Sequence, residues 1–309
     1  MEKEINNIHV PVLLIGFNRP EIIRQSFEYI RAAAPQKLYV AIDGARKQVE
    51  GEDQLVNKVR KIVQNVDWQC ETHYRFNTEN RGAEVNVSKA ISWVLEKEEY
   101  VIILEDDIIA PVSFFNFVQE MLIRYKNEER VGLVSGCNFT PMPEYDGPDY
   151  FFTKYGHTGG WGTWRRVWKC FNLYATVHDK HLKTEFLKTI CYNKKEINFY
   201  KRKFSAIQKK RPGESSWDNI ANYIFWVNHF INIVPKVNLT TNIGTYGLHA
   251  KGMTEIHFIT FDETFNVSRH PDQIIPNIKY DIYHFNNHIY KGRSTLAKLK
   301  DRIHSFMLK

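Results

Sequence analysis

Between residues 9 and 127, short apolar, β-branched runs alternate four times with stretches of helical periodicity, and this rhythm constrains the fold more than any single motif. His9-Val-Pro-Val-Leu-Leu-Ile-Gly16 reads as a buried strand ended by Gly16-Phe-Asn-Arg-Pro20. Pro20 is suited to open a helix through Arg31, and Lys37-Leu-Tyr-Val-Ala-Ile-Asp43 reads as a second strand. A helix near 52–65, a strand near 71–76, a helix near 83–97, the strand Tyr100-Val-Ile-Ile-Leu104 and a helix near 112–127 continue the pattern. Such alternation predicts an α/β, Rossmann-like fold with a mostly parallel central sheet flanked by helices. Ligands of such sheets sit beyond the carboxyl ends of the strands.

After the strand Val131-Gly-Leu-Val-Ser135 the rhythm breaks into a Gly-, Pro- and aromatic-rich segment, 138–168. Basic helical stretches near 182–210, a helix over Trp217 to Val227 and a strand over Phe230 to Pro235 follow. Leu296, Leu299, Ile303, Phe306 and Met307 recur at helical spacing among lysines and arginines, predicting a basic amphipathic terminal helix able to dock on the core or touch a membrane surface. The expected organisation is one domain over 1–280, with halves 1–135 and 136–280, and a basic tail over 281–309.

Composition removes several classes. A chain with 43% hydrophobic and 25% charged residues can bury a core, which excludes disorder. The scattered Cys70, Cys137, Cys170 and Cys191 lack the close spacing of a disulfide framework or zinc motif, so a reducing, cytoplasmic setting is expected. The polar start has no signal-peptide pattern, and no apolar run approaches the roughly 20 residues of a membrane span. The Asn-x-Ser/Thr triplets at Asn86, Asn138, Asn238 and Asn266 are then chance occurrences. A formal charge of +7 suits an anionic partner, but the cations are dispersed and no nucleic-acid motif is present.

Chemistry concentrates at Glu105-Asp106-Asp107, directly after an apolar strand. Adjacent carboxylates repel one another, and a hard divalent cation such as Mn2+ or Mg2+ relieves that repulsion. A solvated acidic turn is the competing explanation. Arg19 and Asp43, at the ends of the first two strands, could orient a nucleotide, or serve as a surface ion pair and a turn residue. Arg81, in Asn80-Arg-Gly82, precedes a helix where backbone amides could meet phosphate. Asp218, in Ser215-Ser-Trp-Asp-Asn219, is a candidate general base or a helix cap, with Glu214 as its nearby substitute. His249 follows a Gly-rich turn, and Trp161, between Gly160 and Gly162, could offer an aromatic face to a sugar ring or belong to the core.

Taken together, these segments resemble glycosyltransferases with the GT-A fold, of the N-acetylglucosaminyltransferase I type. The resemblance is carried by Pro11-Val-Leu-Leu-Ile-Gly-Phe-Asn-Arg-Pro20, Asp43, residues 104–117, Gly160-Trp-Gly162, Trp217-Asp218, residues 235–244 and Gly247-Leu-His249, in that order over about 9–252. It implies Asp107 as the chief metal ligand, His249 beside the diphosphate or completing the metal shell, Asp106 facing the ribose, Glu105 facing the transferred sugar, and Arg19 and Asp43 holding the base. Asn86 stands where the family has a histidine among its base contacts. Asp218-Asn219 stands where it has consecutive acids.

The implied activity is metal-dependent, inverting transfer from a nucleotide-diphosphate sugar, expected to be a UDP-sugar. Asp218 would act as base, and Trp161 and Trp217 would line the acceptor site. The acceptor would be a glycan or lipid-linked saccharide of bacterial surface polysaccharide synthesis. A nucleotidyltransferase is the rival enzyme, but Gly16-Phe-Asn-Arg-Pro20 lacks the Gly-rich basic loop it would carry. A non-catalytic glycan- or nucleic-acid-binding module is the other alternative.

Overall fold

The computed structural model of the chain describes residues 8–211, 214–244 and 260–291. Strand β1 (Val12–Gly16) is buried throughout, and helix α1 (Pro20–Ala33) follows it directly after a short turn. Pro20 opens the helix, where its missing amide costs nothing, and Ile23, Phe27 and Ile30 recur at helical spacing to bury one face. Ala34 then ends it in the left-handed conformation, φ 46. The alternation continues through β2 (Lys37–Ile42), α2 (Glu52–Val63), β3 (Glu71–Phe76), α3 (Ala83–Leu95) and β4 (Tyr100–Glu105).

These four strands lie in the order β3-β2-β1-β4, all parallel. The chain steps outward from β1 to β3 and then returns to the other side of β1 with β4. That reversal opens a crevice between the carboxyl ends of β1 and β4, where sheets of this kind bind ligands.

The remainder comprises β5 (Ile108–Ile109), α4 (Val112–Arg124), β6 (Val131–Ser135), β7 (Tyr150–Thr153), β8 (Trp161–Trp164), the short helices α5 (Arg165–Trp168) and α6 (Thr184–Leu187), α7 (Lys194–Gln208), α8 (Trp217–Val227), β9 (Ile231–Pro235), β10 (Thr241–Asn242) and α9 (Ile278–His284). A π-helical turn over Phe285–Ile289 prolongs α9. The large sheet continues as β4-β8-β6-β9-β7. Here the expectation of parallel strands holds only in part, because β8 runs antiparallel to both β4 and β6, and β7 antiparallel to β9. Strands β7 and β8 occupy the segment that showed no rhythm, since four residues are too few to display a period.

Gly162 is a packing requirement of β8: a Cβ there would lie 2.6 Å from the Val118 side chain and 2.9 Å from that of Leu122, so α4 rests flush on the strand. The sheet crosses residue 135 without interruption, and the two halves share one core. Helix α9 spans the 280/281 boundary, with Asp281 and His284 fully buried. The basic terminal helix expected over 293–309 lies outside the described residues. Among the described residues, no helix is long and apolar enough to cross a membrane.

Candidate active site

Glu105 ends β4 beside Ile15 of β1, and Asp106 and Asp107 form the turn into β5, so the acidic tripeptide stands at the crevice. Arg19 reaches it from the β1–α1 turn. Its guanidinium embraces Asp106 through Nη2 and through Nε at 3.3 Å, and Nη2 also lies 3.0 Å from Asp107 Oδ2. Ser26 of α1 donates to the Asp106 carbonyl at 2.7 Å, fixing the turn from below. Arg19 thus bridges two acids, with its side chain 28% exposed.

One guanidinium does not balance the carboxylates. Burial pushes the Glu105 carboxyl up to about 8, reinforced by the charges of Asp107, Asp106 and Asp218. Burial likewise raises Asp106, with Arg19 opposing. Asp107 Oδ1 has no protein partner among the described residues, and this carboxylate remains 16% exposed. Glu105, Asp106 and Asp107 do not converge into a cage: among the described residues, only a histidine cluster elsewhere brings three potential ligand atoms within 4.8 Å. The acids therefore offer a cation one or two oxygens, a donor set suited to an ion that a diphosphate completes.

The ribbon formed by β10 and β5 lays residues 241–244 over this turn, with Ile243 N donating to the Asp107 carbonyl at 2.8 Å. Gly244 is the residue that fits: a Cβ would come within 2.4 Å of Asp107 Oδ2. His249 lies outside the described residues.

Asp43 differs from its expected role. The carboxylate is 3% exposed and accepts from the amides of Gly44, Arg81 and Gly82 and from Asn77 and Asn80 Nδ2, all at 2.9–3.0 Å. Both oxygens are filled, so Asp43 moulds the loop before α3 instead of presenting a free acceptor to a base. The same bonds occupy the Arg81 and Gly82 amides once expected to meet phosphate. The Arg81 side chain stays exposed, and the buried Asn86 Oδ1 accepts from Asn77 Nδ2 at 3.0 Å.

Asp218 lies in the first turn of α8, whose cap position is Ser216, so the capping alternative does not describe it. It is half-buried and close enough to Glu105 to raise that carboxyl. Glu214 instead turns to Arg211 and is exposed. Trp161 is 1% exposed and stacks on Trp217 at 5.9 Å, so the tryptophan expected to meet a sugar is a core residue beneath α8. Two buried polar atoms near Trp217, Trp161 Nε1 and Ser215 Oγ, have no hydrogen-bond partner among the described residues. Lys203 of α7 escaped sequence reasoning because it is one lysine in a basic run. Burial lowers its pKa while Asp218 opposes the shift, which places a cation beside the candidate base.

Two surface cavities of about 370 and 500 Å3, lined by residues such as Tyr145 and Arg124, include none of these groups. No protein-family model matches the chain, and no curated protein matches it. Among solved structures, it is similar to the mannosyltransferase PcManGT from Pyrobaculum calidifontis in complex with GDP-Man and Mn2+, at 15% identity and a TM-score of 0.38, over 71% of this chain and 70% of that one. It is also similar to HddC from Yersinia pseudotuberculosis, at 9% identity and a TM-score of 0.33, over 52% of this chain and 80% of that one. At these scores neither likeness bears on what this chain binds.

Proposed function

We propose that this chain is a metal-dependent, inverting glycosyltransferase that moves a sugar from a nucleotide-diphosphate donor, a UDP-sugar, to a glycan or lipid-linked acceptor. The observation that carries the reading is the meeting of Glu105, Asp106, Asp107 and Asp218 at the β1/β4 crevice, with Arg19 between two of the acids. Asp107, with its open Oδ1, would hold Mn2+ or Mg2+, and His249 is proposed as its second protein ligand. When bound, the ion offsets the negative charge that gathers on the departing diphosphate.

Glu105, uncharged near neutral pH, donates a hydrogen bond to a sugar hydroxyl, and Arg19 and Asp106 position the nucleoside. The Asp218 carboxylate takes the acceptor hydroxyl's proton as that oxygen bonds to the anomeric carbon and the bond to the β-phosphate oxygen breaks. Trp217 supports the acceptor side, and Lys203 stands beside the base.

The test is calorimetric binding and donor hydrolysis over UDP-, GDP-, CMP- and dTDP-sugars, with and without Mn2+, for wild type and Asp107→Ala. One donor should bind only with metal, and the variant should weaken it at least tenfold. Folded wild type that binds none of them would overturn the reading.

A further inference from the structure

Three histidines converge away from the acidic turn. His157 lies in the connection between β7 and β8, His284 ends α9 and His288 lies in its π turn, and one ring nitrogen from each falls within 4.8 Å of the others. His157 Nε2 and His284 Nε2 are 3.0 Å apart. We propose that His157, His284 and His288 form a transition-metal site, with Zn2+ as the ion of matching preference, which fastens the β7–β8 connection to α9.

The surroundings orient the rings for this. Thr140 Oγ1 lies 2.7 Å from His284 Nδ1, so a proton on Nδ1 leaves a lone pair on the Nε2 that faces His157. Tyr280 stacks on His284 at 5.4 Å, and its hydroxyl donates to Asn138 Oδ1 at 3.2 Å. Phe139 stacks on His288 at 4.8 Å and meets His157 edge-on at 4.7 Å. His284 is fully buried between the other two imidazoles. Tetrahedral zinc with Zn–N near 2.0–2.1 Å sets ligand nitrogens about 3.3 Å apart. The observed separations reach that spacing by small ring movements. Three imidazoles leave one position for water.

The site has a structural consequence. Ser135 Oγ donates to the His157 carbonyl at 3.0 Å, and the same connection runs into Gly160 and β8. A bound ion would therefore tie α9 to the strand that carries Trp161.

The test is ZnCl2 titration of chelator-stripped protein against a chromophoric chelator, with Co2+ absorption as the readout of geometry. Wild type and Asp107→Asn should bind one equivalent with raised melting temperature, and Co2+ should give the intense visible bands of a four-coordinate site. His157→Ala and His288→Ala, both at half-buried positions, should each lose at least tenfold in affinity. Folded wild type that takes up no stoichiometric zinc, a weak octahedral Co2+ spectrum, or unchanged affinity in the two alanine variants would overturn the proposal.

Discussion

Glu105 is the residue at which the tension in the crevice can be measured. Its carboxyl sits at about 8 in the folded chain, against roughly 4.3 when unfolded. The folded state therefore holds this proton more tightly, and the contribution is fully present below pH 4 and lost as pH rises toward 8. Replacing Glu105 with Gln removes the charge that grows over that interval. With chelator present, Glu105→Gln should be more stable than wild type at pH 8 by on the order of 1–2 kcal/mol, discounted for partial exposure, with the gap narrowing toward pH 5. Denaturant unfolding at the two pH values reads this, and a wild type equally stable at pH 8 would refute it. Activity should fall in the same variant, the pattern expected when a strained group serves function. Gly244 permits a complementary test from the other side of the turn. Gly244→Ala sets a Cβ against Asp107, and should weaken metal-dependent donor binding about tenfold or more while melting temperature changes little. Unchanged donor affinity would mean the β10 ribbon yields freely.

At the scale of elements, helix α8, which carries Asp218 in its first turn, is seated on Trp161 through Trp217. Trp161→Ala should cost about 3–5 kcal/mol of stability, as large core deletions do, and lower the acceptor rate through displacement of α8. A variant with native stability and only a raised acceptor KM would return Trp161 to the role of a sugar platform. Elements of this kind differ in how plainly the sequence announces them. Strands β1, β2 and β4 were legible as apolar runs, β1 ending on a Gly and β2 with one just after it, and β3, which is mostly polar, was legible by its place in the alternation with helices. Strands β7 and β8 were not, because their neighbours in the sheet are distant in sequence and each spans four residues. The acidic turn was legible by its position after β4. The occupation of Asp43 by the 77–82 loop and the bridging role of Arg19 were not, since each depends on a partner dozens of residues away, and the approach of Lys203 to Asp218 depends on how α7 and α8 pack.

Across the whole molecule, one sheet joins what the rhythm of the sequence divides. β4 borders β8, and among the described residues β6 has only β8 and β9 as neighbours, so the sheet partners of residues 131–135 there are strands from the second half. A fragment ending at residue 135 would keep the parallel strands β1 to β4 but leave β4 as an exposed edge. It would also strand β6 with none of its neighbours and uncover the apolar face that α4 buries against β8. Unpaired apolar edges of this kind associate between chains. The fragment should therefore be aggregation-prone and show poor amide dispersion by NMR, and coexpression with 136–309 should restore solubility by returning β8 to its place. A soluble, well-dispersed 1–135 fragment that still binds a nucleotide-sugar would show that the parallel half folds alone. The sheet's continuity would then be an assembly of two stable parts, and Asp218 would reach the crevice by docking instead of by co-folding.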